Sequence, residues 1–181
     1  MATRRIVEIG DEKLRKHAKP VEKFDKRLST LLRDLADTMY KADGVGLAAP
    51  QVGILRRAVV VDVGEGLFEL VNPEIIQAQG EQTGPEGCLS IPGRSGVVIR
   101  PNKVVVKAQD VQGNPIEITG EGFFARALCH ELDHLEGVLY VDKMEREIFH
   151  DDDEEDDEGE EDNDEEEADQ KDDCTQGEEC P

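Results

Sequence analysis

An acidic block at the end of this chain limits where a folded core can form. Residues 151–181 hold 20 Asp and Glu against one basic residue, Lys171. Such a segment buries too little apolar surface to offset the entropy of ordering it. It is expected to be a disordered acidic tail, which leaves residues 1–150 as the folding unit, enough for one domain. The block also accounts for most of the net charge of -22, because the first 150 residues carry 23 acidic against 20 basic side chains. A body so near neutrality has no basic stripe to neutralise phosphates, which argues against direct nucleic-acid binding.

No apolar run approaches the roughly 20 residues that a membrane span needs. Of the four cysteines, Cys88 and Cys129 lie in the body and Cys174 and Cys180 in the tail. They form no disulfide framework, and no secretory signal opens the chain. The first arginines are followed at once by Glu8, Asp11 and Glu12, unlike an acid-poor transit peptide. A reducing, cytoplasmic setting is expected, with Cys174 and Cys180 free and exposed.

Within the body, Leu28, Leu31, Leu32, Leu35 and Met39 recur at helical spacing, and Gly44 supplies a stop. This predicts a core helix over residues 25 to about 41. The run Ala58-Val59-Val60-Val61, then Gly64-Glu65-Gly66, then residues 67–71 predicts an antiparallel hairpin. Further strands are expected around residues 96–99, 103–107 and 116–118, the last after a turn at Gln112-Gly113-Asn114-Pro115. A second helix is predicted from about 122 to 135, closed by Gly137. Strands followed by one decisive helix indicate an α+β domain. Residues 143–150 are expected to form a short helix that fades into the tail.

The second helix carries His130-Glu131-Leu132-Asp133-His134. Residues four apart share a helix face about 6 Å apart along the axis, so two imidazoles can reach one ion. Glu131 between them can reach a metal-bound water without being a ligand, as a general base must. A hydrolytic site of this kind needs a third protein ligand and an open position. Downstream, Glu136, Glu145, Glu147 and His150 suit the metallopeptidase pattern poorly. Upstream, Cys88 lies between strand-like segments beside Gly87, and its thiolate suits zinc or ferrous iron. A closed structural site would need Cys129 as a fourth ligand, but adjacent helical residues diverge by about 100°. Cys129 is therefore expected in the core, and His17 and His150 on the surface.

Three blocks, Gly44-Val45-Gly46-Leu47-Ala48-Ala49-Pro50-Gln51, Glu86-Gly87-Cys88-Leu89-Ser90 and His130-Glu131-Leu132-Asp133-His134-Leu135, together resemble the bacterial peptide deformylases in order and spacing. The resemblance covers residues 4–143. It implies antiparallel sheets packed around a central metal-binding helix, and one divalent ion held by Cys88, His130 and His134. The ion would be ferrous iron first, with zinc, nickel or cobalt as substitutes. It further implies removal of the formyl group from N-formyl-methionyl nascent polypeptides, releasing formate. A metal-bound water would attack the formyl carbon, with Glu131 as general base and acid. The Gln51 side-chain amide and the Leu89 backbone N–H would stabilise the oxyanion. The substrate would lie beside Val45, Gly46 and Gly87, with Gly44, Val45, Arg126 and Ala127 lining its methionine pocket. Where some relatives place a substrate-contacting arginine this chain has Ser95, with Arg94 adjacent as a substitute. A monomer is expected, and an approach to the ribosome surface is a role open to the tail.

Overall fold

The computed structural model describes residues 3–148. The expectations for residues 151–181, including Cys174 and Cys180, and for His150 lie outside the described residues. Among the described residues two α-helices, α1 (Lys26–Lys41) and α2 (Phe123–Leu135), accompany eight strands. The strands are β1 (Gly46–Ala48), β2 (Ala58–Val61), β3 (Phe68–Gln79), β4 (Gln82–Cys88), β5 (Ile91–Arg100), β6 (Lys103–Gln109), β7 (Pro115–Glu121) and β8 (Met144–Ile148). They form a five-stranded sheet in the order β1-β2-β3-β6-β7 and a three-stranded sheet in the order β4-β5-β8, with every paired neighbour antiparallel.

The unbroken apolar run of β2 has a simple cause. Successive strand residues face opposite sides, and both sides of β2 are covered. Ala58 and Val60 pack with Leu32, Leu35 and Met39 of α1. Val59 and Val61 pack with Ala125, Leu128 and Leu132 of α2. The larger sheet is thus filled between two helices, and α2 is the inner element that the site is built on. A third cluster of Leu14, Ile91, Val98, Leu139 and Tyr140 packs against the smaller sheet.

The expected helices and the β2-β3 hairpin are present, although β3 runs on to Gln79. Asp25 caps α1 by accepting from the backbone N–H groups of Arg27 and Leu28. Gly137 follows α2 with φ +73, and a Cβ there would lie 2.6 Å from the Arg15 carbonyl oxygen, so glycine is required twice over. Residues 144–148 correct the expectation of a short helix. Their charged side chains favour a helix locally, but the free edge of β5 offers a hydrogen-bond ladder and they pair with it as β8. The stretch before Cys88 is likewise a strand, β4, at the edge of its sheet, where Pro85 is tolerated.

Candidate metal centre and substrate cavity

β4 delivers Cys88 to α2. The Cys88 Sγ lies 3.3 Å from His134 Nε2. One ligand atom from each of Cys88, His130 and His134 lies within 4.8 Å of the other two, as donors around one ion must. The His130 and His134 rings meet edge to face with centroids 5.0 Å apart. Tyr140 stacks on His130 with ring centroids 6.1 Å apart.

His130 is oriented by a residue that sequence reasoning left without a role. Glu86 is buried, and its Oε2 lies 2.9 Å from His130 Nδ1. That contact assigns Nδ1 as the donor and turns Nε2 towards Cys88 and His134. Glu86 also accepts from Arg100 at 2.8 and 2.9 Å and from Arg126 at 2.9 Å. Burial opposes its ionisation, yet Arg100 and His130 outweigh burial and hold the carboxyl at about 2. Arg100 extends the network to Asp133 at 2.5 Å, and Asp133 accepts from Lys143 at 2.8 Å. Asp133 thus joins the helix to the ligand-supporting ion pairs. The only sequence signal for Glu86 was its place two residues before Cys88.

The protonation pattern follows from burial and neighbours. Burial disfavours a charged His130, but its hydrogen bonds to Cys88 and Glu86 prevail and raise it to about 10. Burial and the neighbouring His130 charge push His134 well below its ordinary value. Burial lifts Glu131 to about 7, against the opposing pull of His130. Glu131 Oε2 and His134 Nδ1 are buried without hydrogen-bond partners among the described residues. Buried polar atoms are ordinarily satisfied. An acceptor left open beside a thiol and two imidazoles fits a divalent ion with an attached water.

Gln51 is held at both ends. Its Oε1 accepts the Ala48 N–H at 2.8 Å, so its Nε2 must face the site, 3.4 Å from Cys88 Sγ and 3.2 Å from Ser90 Oγ. The block from Gly44 to Gln51, which opens on the glycine read as the helix stop, forms β1 followed by a 3₁₀ turn over Ala49–Val52. That turn places Gln51 beside β4.

A cavity of about 390 Å3 opens over these groups. Its wall includes Gly44, Val45, Gly46, Gly87, Leu89, Arg126 and Ala127 as well as Gln51, Cys88, His130 and Glu131. Of the expected site residues only His134 is behind the wall, 1% exposed. Ile91 and Phe123 add apolar surface that sequence reasoning missed. The Arg126 guanidinium points inward to Glu86 and to the Gly84 and Val98 carbonyls. Arg94 is on the wall and pairs with Glu147 of β8 at 2.6 Å. Cys129 is packed in the α2 cluster, where burial raises its thiol to about 11.

Residues 3–148 match the family profile of polypeptide deformylase. A peptide deformylase of Caldanaerobacter subterraneus subsp. tengcongensis is 64% identical over 146 residues, spanning 81% of this chain and 92% of that relative. One of Acetivibrio thermocellus is 58% identical over 154 residues, 85% of this chain and 89% of that protein. Among solved structures, the Legionella pneumophila peptide deformylase superposes with a TM-score of 0.77 at 52% identity, covering 79% of this chain and 86% of the other. The Synechococcus elongatus enzyme in complex with actinonin gives 0.76 at 43% identity, covering 78% and 79%. With its fold, its Cys-His-His cluster and these likenesses in agreement, the chain belongs to the peptide deformylase family of metal-dependent hydrolases.

Proposed function

We propose that Cys88, His130 and His134 hold one divalent ion, ferrous iron in the cell, with zinc, nickel or cobalt able to replace it. There the chain removes the formyl group from the formyl-methionyl end of newly made polypeptides. The observation that carries this reading is the meeting of one thiol and two imidazoles beside a buried carboxylate oxygen that has no partner among the described residues. When bound, the ion supplies Lewis acidity and lowers the pKa of a water.

Glu131 takes a proton from the attacking water and returns it to the departing amine as the formyl C–N bond breaks, which leaves formate and a free α-amine. Its raised affinity for a proton suits a group that must both accept and donate near neutrality. Gln51 Nε2, fixed in direction by the Ala48 N–H, and the Leu89 backbone N–H donate to the oxyanion. The peptide lies extended beside Val45, Gly46 and Gly87. Its methionine enters the apolar wall of Val45, Ala127, Ile91 and Phe123, with the aliphatic stem of Arg126.

Residues 1–150 form the catalytic domain and 151–181 an acidic extension, in a monomeric cytoplasmic enzyme that meets its substrates at the ribosome surface. No described helix is long and apolar enough to cross a membrane. The test is anaerobic incubation with a formyl-methionyl peptide and with an unformylated longer peptide. Formate from the first and no internal cleavage of the second is expected. Internal cleavage without formate would replace this reading with a peptidase.

A further inference from the structure

We propose that Gly46 is the positioning residue for Glu131, its missing side chain being the space in which the carboxylate sits. A Cβ built on Gly46 would overlap Glu131 Oε1 outright and approach its Cδ and Cγ to 2.7 and 2.8 Å. Real Cβ atoms do not come so close, so the carboxyl group would have to move. The three nearest atoms to that Cβ all belong to Glu131. Gly46 lies in β1, paired with Val61, and its φ is outside the left-handed region. Alanine is therefore compatible with the backbone there, and glycine is needed for the neighbour alone.

The surroundings make this a device for placing a reacting group. Glu131 Oε2 has no hydrogen-bond partner among the described residues, so shape and packing, more than polar contacts, set where that oxygen lies. β1 supplies one wall through Gly46, and Gln51 follows five residues later on the same cavity. The general base and the oxyanion donor are therefore indexed to one short stretch of chain. The inference rests on Glu131 handling the proton.

The test is a double-mutant cycle of Gly46→Ala and Glu131→Asp in the metal-loaded enzyme, reading kcat, metal content and the absorption spectrum of the cobalt-substituted site. General acid–base groups contribute about 10²–10⁴-fold. Gly46→Ala should lower kcat by about 100-fold or more while metal content and the cobalt spectrum stay as in the parent. Aspartate withdraws the carboxylate by one methylene, so Glu131→Asp should cost much less in the Gly46→Ala background than in the parent. A Gly46→Ala enzyme within about threefold of the parent kcat would overturn the proposal, as would effects that simply multiply. Should Gly46→Ala fail to fold, the Gly46→Ala/Glu131→Ala double variant must fold and bind metal, because truncation at Glu131 removes Cγ, Cδ and Oε1, the three atoms that the added Cβ would meet. Failure of both would show that something other than Glu131 excludes the Cβ. Full activity in Glu131→Ala would instead overturn the general-base reading itself.

Discussion

Helices α1 and α2 cover opposite faces of one sheet and differ in what they bury. α1 hides a leucine stripe, with Asp34 and Thr38 beside it tied to Arg4 of the N-terminal segment. α2 is buried along nearly its whole length, and the buried set includes Arg126, His130, Glu131 and His134. Apolar packing sustains the first helix. The second needs polar partners, because a charge removed from water costs far more than apolar burial returns unless it is paired. For Arg126, His130 and Asp133 those partners come from strands, Glu86 of β4 and Arg100 of β5. One helix is thus scaffold, and the other is a site whose stability and chemistry share residues.

The sharpest way to break this contrast is Glu86→Ala. It removes the carboxylate that Arg100 and Arg126 share, leaving Arg100 with Asp133 alone and Arg126 with backbone carbonyls but no charged partner, and frees His130 Nδ1. A buried ion pair broken on one side costs about 3–5 kcal/mol, and loss of a carboxylate behind a metal-binding histidine costs about 10–100-fold in metal affinity. Urea unfolding and competitive metal titration should both register the loss. Unchanged metal affinity would show that Glu86 is structural only.

In α1, Leu32→Ala should cost about 2–5 kcal/mol through the cavity it leaves, measured by urea unfolding. In the still-folded protein, metal affinity should stay within about twofold of the parent. A large drop would mean that α1 also shapes the site. The smallest effect is expected at the cap, where Asp25→Ala removes the acceptor for two N–H groups. It should lower stability by about 1 kcal/mol and leave formate release per folded molecule unaltered.

The same contrast explains what could be read from the sequence. α1 and α2 were legible because leucines at helical spacing and a following glycine are local signals, and β2 was legible as a β-branched run. The Cys88, His130 and His134 set was legible through spacing on α2 and the resemblance of three blocks. β4 was hidden because Gly84-Pro85-Glu86-Gly87 has little strand propensity, and its pairing with β5 forms it. β8 was hidden for the same reason, since only the open edge of β5 makes it a strand. Glu86 and Arg100 went unassigned because their partners lie 44 and 33 positions away in sequence, at His130 and Asp133. No local pattern encodes a meeting between β4, β5 and α2.

The central claim is that three side chains hold the ion while a fourth moves the proton. Anaerobic ferrous loading of the parent and Glu131→Ala, with bound iron and formate release from a formyl-methionyl peptide measured on the same samples, separates the two tasks. Equal iron in both proteins, with formate release reduced by at least about 100-fold in the variant, is the predicted result. Formate release that survives the substitution, or iron that is lost with it, would contradict the account.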